Sequence, residues 1–284
     1  MGPGAPALPS RPVPGGAGRP HPPAPPAAAL PEALAAAVAQ LTSPAPGLVA
    51  GAAANTAVYA LGMRVLLRGL TRSGVLHSWV LGTAIFSAFG AGGYAVVCLY
   101  FVLGSAATKV RLAEKQALGI AEGRSGRRGP GSVWGSGVAA FACAAAALAT
   151  GSADPWRVGM LASLTSKLSD TVSSEIGKAF GRTTYLVTTL RRVERGTEGA
   201  VSLEGTGAGL AAAALFAGLS LALGLTTPPQ AAVVAGAAVV ANFAESFLGA
   251  TAQGRVGWLS NDVVNMLQIS LAAALAIGGV SRLG

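Results

Sequence analysis

From about residue 48 to the C-terminus, apolar runs about as long as a bilayer is thick alternate with polar connections. A hydrocarbon core of about 30 Å takes roughly 20 apolar residues of helix. Runs of that kind predict spans over Leu48–Leu67, Val133–Thr150, Trp156–Ile176, Gly205–Leu225, Ala231–Ala250 and Val263–Val280. They are rich in Ala, Leu and Gly and do not alternate strictly, which predicts helices rather than the strands of a closed barrel. The long apolar stretch 75–104 is interrupted by Gly90, Gly92 and Gly93. It reads as one tilted helix, about Trp79–Leu103, or as two short helices hinged at those glycines, and the choice decides on which side the chain enters the first span. The expected fold is an all-α polytopic transmembrane helix bundle of about seven spans, with six to eight compatible.

The polar connections carry the second part of the pattern. Loops 105–132 and 177–204 are separated by two spans, and loop 251–262 lies two spans further on, so all three fall on one face. The first two are basic, whereas the intervening connections 151–155 and 226–230 contain no Lys or Arg. The positive-inside rule makes the basic face cytoplasmic, or stromal or matrix-facing in an organelle.

Composition agrees with a membrane solvent: the 284 residues are 52% hydrophobic and only 11% charged, against about 25% charged in soluble domains. The net charge of +9 sits in loops facing anionic lipid or substrate, so nucleic acid is not an expected partner. Cys98 and Cys143 lie in apolar runs and read as small buried hydrophobes, while the isolated His77 reads as an interface residue. Residues 1–46 form a Pro/Ala-rich segment with no acid before Glu32. That composition fits a disordered tail or a transit peptide, with a short Ala-rich helix near Leu34–Leu41, and leaves residues 47–284 as the membrane domain.

Charge inside the apolar pattern marks the candidate chemistry, because ionisable groups at membrane depth are costly. Ser163, Ser166, Asp170, Ser174 and Gly177 share one helical face, with Lys167 and Thr171 along its edge. Glu175 lies about 140° around the helix from Asp170 at ~100° per residue, and meets the same site only if the helix frays or a neighbour wraps it. Carboxylate oxygens suit Mg²⁺, which takes one or two carboxylates plus substrate phosphates. The alternative is a Lys167–Asp170 pair that neutralises itself within the bundle. A second cluster, Arg191, Arg192, Arg195, Thr197 and Glu198, is interleaved with Gly196, Gly199 and Gly205. Glycines admit phosphate to backbone amides and arginines bind it in a forked geometry. Loop 105–132 contributes Lys109, Arg127 and Arg128, read either as phosphate ligands or as topology-setting charge. Asn242 with Glu245, and Asn261 and Asp262 with Asn265, form an opposite polar wall or interhelical hydrogen-bond glue.

The run SDTVSSEIGKAFGRTTYLVTTLRRVERGTEGAVSLEGTGAG, Ser169 to Gly209, closely resembles the plant and cyanobacterial phytyl-phosphate kinases. These belong to a wider family of largely uncharacterised integral membrane proteins. Residues 104–136 and the segments ANFAESFLGA and WLSNDVVN within 241–265 resemble the same family, and the likeness runs from about residue 50 to the C-terminus. A looser analogy is to the CTP-using polyprenol kinases, in the order of Asp170, Gly177, Gly181, Arg191, Arg192, Gly199, Ser202 and Gly205.

The resemblance implies transfer of a phosphoryl group from a nucleoside triphosphate, with CTP the expected donor, to phytyl monophosphate in a plastid (chloroplast) membrane. The phytyl diphosphate would feed tocopherol and phylloquinone synthesis, and geranylgeranyl phosphate is a plausible further substrate. On this reading Asp170 holds Mg²⁺, Glu175 assists it or orients substrate, and Lys167 belongs to the catalytic group. Arg191, Arg192 and Arg195 clamp phosphates, Lys109, Arg127 and Arg128 take the nucleotide side, and the phytyl tail lies between spans. The competing class is a secondary transporter of an ion or small anion using Asp170, Glu175 and Glu245 as coupling carboxylates.

Overall fold

The structure, a computed structural model, describes residues 1–2, 32–121 and 126–283. Most of the Pro-rich segment expected to be disordered or a transit peptide lies outside the described residues. The short helix expected near its end is present as α1 (Glu32–Leu41).

The apolar runs fold into α2 (Leu48–Gly69), α3 (Arg72–Lys109), α5 (Pro130–Thr150), α6 (Trp156–Phe180), α7 (Leu203–Ala222), α8 (Pro228–Thr251) and α9 (Asn261–Val280), with a short α4 (Leu112–Ala117) in the first basic loop. Six of these seven long helices are apolar and long enough to cross a bilayer by themselves. The seventh, α6, is the charged one; it runs through the middle of the bundle and packs against α3, α5, α7, α8 and α9.

The 75–104 stretch takes the hinged alternative. Gly90 has φ 61° and ψ −163°, which breaks α3 into two arms. A side chain there is excluded twice, by the positive φ and because a Cβ would lie 2.8 Å from the Ser43 carbonyl oxygen. The two arms fold back on each other. Gly74 and Gly104 both abut Arg128, with a Cβ at either position falling 2.5 Å from its carbonyl oxygen or 2.6 Å from its Nη2. Thirty residues of straight helix would separate them by roughly 45 Å. Asn55 on α2 ties the hairpin together: its Nδ2 donates to the Trp79 carbonyl at 2.8 Å and to Thr83 Oγ1 at 2.9 Å. Its Oδ1 accepts from Tyr94 on the returning arm at 2.6 Å. This fully buried amide is therefore satisfied on both ends. Each arm is about 27 Å long at 1.5 Å per residue, close to the hydrocarbon thickness.

With the hairpin counted as two crossings, the chain enters α2 and leaves α9 on the same face. The three loops grouped by parity do meet on the opposite face. Arg111 donates to the Ala179 carbonyl at 3.2 Å, Gly131 abuts the Asp262 carboxylate, and Gly199 abuts Ala250. The second basic loop holds a small sheet that the all-helical pattern did not predict. Strands β1 (Thr184–Leu186), β2 (Arg192–Val193) and β3 (Ala200–Ser202) pair antiparallel in the order β2-β1-β3. Strand β3 rests on α6, α7 and α8, leaving β2 at the outer edge. Helix α7 approaches α6 closely through Gly205 and Gly209, where a Cβ would fall 2.5 Å from the Ser173 carbonyl oxygen and 2.8 Å from the Ser173 Cβ. That small-xxx-small spacing permits backbone contact between membrane helices.

Candidate active site

A cavity of ≈ 200 Å³ opens at the basic-loop end of the bundle, between the C-terminal half of α6 and the first turns of α5 and α9. Five of the chain's 11 acidic residues line it: Asp170, Glu175, Glu198, Glu245 and Asp262. Among the described residues, three Lys or Arg do so, namely Arg128, Lys167 and Lys178. In a protein of net charge +9, this is a local reversal of sign.

The floor is set by α6. Lys167, nearly buried, donates to Asp170 one turn on and to Asn265 Oδ1 on α9 at 2.8 Å. The Lys167–Asp170 pair, raised as the alternative to a metal site, thus exists, and α9 fixes its ammonium from across the cavity. Asn242 on α8 donates to Ser169 Oγ at 3.0 Å, so the opposite polar wall both lines the cavity and joins helices. Glu245, Asn261, Asp262 and Asn265 complete that wall. The turn between β2 and β3 closes over the top with Gly196, Thr197, Glu198 and Gly199. Its shape depends on Gly196 and Gly199, at φ 87° and 70°, and on Thr197 Oγ1 donating to the Glu194 carbonyl at 2.8 Å.

Glu175 has another partner. Its carboxylate accepts from Lys115 of α4, and Lys115 also donates to the Thr108 carbonyl at 2.9 Å. The two side chains are 1% and 4% exposed. The 140° offset therefore takes Glu175 from Asp170 to a buried ion pair that fastens the first basic loop onto α6. Sequence reasoning passed over Lys115, which lies unmarked among the other basic residues of that loop. Its one signal in the sequence is its place in the short segment Leu112–Ala117, which begins and ends on an apolar residue.

The arginines separate into two groups. Arg128 lies at the cavity, 9% exposed, with Nη1 donating to the Tyr100 hydroxyl at 2.7 Å and its guanidinium 5.0 Å from the Tyr100 ring centroid. Its backbone is anchored by a bond to the Gly69 carbonyl at 2.8 Å and one from Thr71 at 3.0 Å. Arg191 and Arg192 sit at the outer edge of the sheet, exposed and away from the cavity lining. Arg195 donates to the Lys178 carbonyl at 3.4 Å, and Arg111 to the next one, so both cap the C-terminus of α6, where cations complement the helix dipole. Lys109 and Arg127 are exposed and also outside the lining. Residues the sequence did not single out complete the cavity wall: Tyr100, Ser132, Ser136 and Lys178.

Oxygen donors dominate the lining: carboxylates of Asp170, Glu245 and Asp262, amides of Asn242 and Asn261, and hydroxyls of Ser132 and Ser136. Among the described residues no three His, Cys, Asp or Glu side chains converge as a ready metal cage. Hard oxygen ligands in excess of local cations fit Mg²⁺, which usually completes its shell with water and substrate phosphates. The cavity also receives the first turns of α5 and α9 and the N-cap Ser202 of α7, helix ends that favour anions.

A second cavity adjoins the first. It is ≈ 320 Å³, lies between α2, the α3 hairpin and α5, and its walls are almost wholly apolar, including Val58, Val65, Leu66, Leu81, Val97 and Phe101. The two cavities share Tyr100, Arg128, Ser132 and Ser136.

Comparison with known proteins places the chain among membrane proteins. The protein VTE6, chloroplastic, of Arabidopsis thaliana is 46% identical over 243 residues, covering 84% of this chain and 73% of that one. An uncharacterized membrane protein of Synechocystis sp. is 50% identical over 213 residues, 74% of this chain and 82% of its own. An uncharacterized membrane protein of Methanocaldococcus jannaschii is 30% identical over 216 residues, 75% and 84% of the two chains. No solved structure matches. The family described as integral membrane protein DUF92 matches residues 55–273, which takes in every helix of the bundle in whole or in part; this chain is a multi-pass membrane protein and belongs to that family.

Proposed function

We propose that the protein is a phytyl-phosphate kinase of a chloroplast membrane, converting phytyl monophosphate to phytyl diphosphate with a nucleoside triphosphate, CTP by expectation, and Mg²⁺. The observation that carries this reading is the acid-rich cavity at the basic face, lined by five carboxylates together with Arg128, Lys167 and Lys178. Phosphates and a divalent cation are the ligands that such a mixture of charges balances. The likeness to VTE6 of Arabidopsis thaliana supports the plastid setting, and the product would supply tocopherol and phylloquinone synthesis.

The reaction needs little covalent help from the protein. An oxygen of phytyl monophosphate, already anionic at neutral pH, attacks the γ-phosphorus. The new P–O bond forms as the bond to the β,γ-bridging oxygen breaks, and the nucleoside diphosphate leaves with that electron pair. Catalysis then rests on alignment and on charge stabilisation. Asp170, oriented by Lys167, would hold Mg²⁺ together with oxygens of the α8 and α9 wall. Bound there, Mg²⁺ supplies charge neutralisation between the reacting phosphates. Arg128 and Lys178 face the phosphates from the side of the loops. The Gly196–Gly199 turn would border them, and Lys115 with Glu175 holds the first basic loop in place.

The test is a membrane assay with phytyl monophosphate, Mg²⁺ and each of CTP, UTP, ATP and GTP, scored for phytyl diphosphate. Product with one nucleotide establishes the kinase and its donor. Well-inserted protein that yields no product with any nucleotide, yet takes up ions or small anions into liposomes without one, overturns the reading in favour of a transporter.

A further inference from the structure

We infer that the apolar cavity between α2, the α3 hairpin and α5 seats the hydrocarbon tail of the substrate, with Arg128 and Tyr100 at the junction receiving its phosphate end. The inference rests on the kinase reading for the identity of the substrate, and on geometry for the location.

Three observations carry it. The first is continuity, since four residues belong to both cavities, and Arg128 is among them. A molecule charged at one end and apolar at the other is the ligand that spans such a pair. The second is the contrast between the walls. The polar cavity is lined by acids, amides and hydroxyls, whereas Val58, Tyr59, Gly62, Val65 and Leu66 of α2 and its C-cap Leu70 present an almost purely apolar surface to the other. The third is length. From Leu70, beside Arg128, to Val58 the slot follows α2 for roughly 18 Å at 1.5 Å per residue. That is about the depth of one leaflet, half of a hydrocarbon core of about 30 Å. A long isoprenoid chain fills this path, and a five-carbon unit does not.

Arg128 is built for the junction. Its backbone is pinned to the end of α2, and Tyr100 supports its guanidinium by a hydrogen bond and by its ring. A planar, permanently charged fork in that position matches a phosphate monoester. The Gly90 hairpin is what makes the slot, because its returning arm brings Val97, Cys98, Phe101 and Val102 opposite α2.

Gly62 gives a clean perturbation. It lines the slot, and a Cβ built there has no neighbour within 4 Å, so a side chain enters the cavity without displacing the bundle. The experiment uses the full chain in lipid nanodiscs and monophosphates of increasing chain length, from isopentenyl through geranyl to phytyl. With the wild type, KM falls as the chain lengthens until the slot is filled, by at most about fourfold per methylene, the limit for an ester drawn from water. In Gly62→Phe the fall stops at a shorter chain: KM for phytyl monophosphate rises tenfold or more, while KM and kcat for the short esters hold. Cys98→Phe, from the facing arm, gives the same pattern. Gly218→Phe, on the exposed side of α7 and also without neighbours within 4 Å, leaves the profile unchanged. In parallel, phytyl monophosphate with a diazirine near its tail end is photolysed on each protein, and the labelled residues are mapped by mass spectrometry. Labels on α2 and the α3 hairpin, lost in Gly62→Phe, support the assignment. Labels confined to other helices, or a chain-length profile unchanged in both slot variants, overturn it. If no nucleotide supports turnover, the kinase reading fails and the labelling alone decides the tail site.

Discussion

The Lys115–Glu175 pair permits a quantitative test of what holds the site together. Both side chains are almost completely excluded from solvent, at 1% and 4% exposure. Removing one partner of a buried pair strands a charge and costs about 3–5 kcal/mol, whereas an exposed pair is worth ~0–1 kcal/mol. Lys115→Met leaves the Glu175 carboxylate without a cation. Glu175→Leu leaves the ammonium with the Thr108 carbonyl as its remaining partner. Each single variant is expected to lose about 3 kcal/mol or more, roughly two orders of magnitude in the folding equilibrium. The double variant Lys115→Met/Glu175→Leu removes both charges and should recover most of that loss, since apolar replacement of a buried pair is often neutral or stabilising. Reversible unfolding of the four proteins in mixed micelles, followed by circular dichroism, gives the coupling energy of the cycle. The double variant should also retain turnover, because the pair positions a loop instead of binding the metal. Single-variant losses below about 1 kcal/mol would refute the burial argument. A stable double variant without turnover would show that the Glu175 carboxylate acts on substrate or metal.

Three further outcomes are expected. Asp170→Asn should reduce turnover at least a hundredfold while the protein remains inserted, measured as phytyl diphosphate formed per mole of membrane protein; near-normal activity sinks the metal role. Arg128→Ala should raise KM for the monophosphate tenfold or more, whereas Arg192→Ala, at the outer edge of the sheet, should change kcat/KM less than threefold; the reverse order would restore the clamp expected from the sequence. Gly90→Ala should cost about 1–3 kcal/mol from the positive φ and more from the Ser43 contact, read as a lowered unfolding midpoint in detergent; an unchanged midpoint would mean that the hairpin tolerates a different hinge.

Much of the fold was legible because lipid imposes length and apolarity on every span. The boundaries of α2, α5, α6, α7, α8 and α9 follow the sequence pattern within a few residues. The hinge at Gly90 was visible as one of two options, because glycines permit a reversal without requiring it. What decided it was tertiary: the Asn55 bonds and the approach of Ser43 are contacts between distant positions. The candidate site was legible through its acids, since carboxylates at membrane depth stand out on any reading. Asp170, Glu198, Glu245 and Asp262 do come together. Arginines in a basic loop carry far less information. Topology, helix capping and ligand binding all ask for positive charge, and only packing separated Arg128 from Arg191, Arg192 and Arg195. The pairing of Lys115 with Glu175 joins positions 60 residues apart and leaves no periodic trace.

The burial of α6 has a consequence for how the protein is made. A helix entering the bilayer alone, with Lys167 and Asp170 near its centre, faces a cost of about 2.5–3.5 kcal/mol for each of them on insertion scales. Within the finished bundle those charges meet Asn265 of α9 and one another, yet α9 emerges from the ribosome only after α7 and α8. During synthesis α6 must therefore be retained at the translocon, or lodged against α3 and α5, until the C-terminal helices arrive to enclose it. Chains truncated after α6 should be recognised as incomplete and degraded, while those that include α9 escape. The reactive helix is thus also the step at which the assembly of the membrane domain can be proofread.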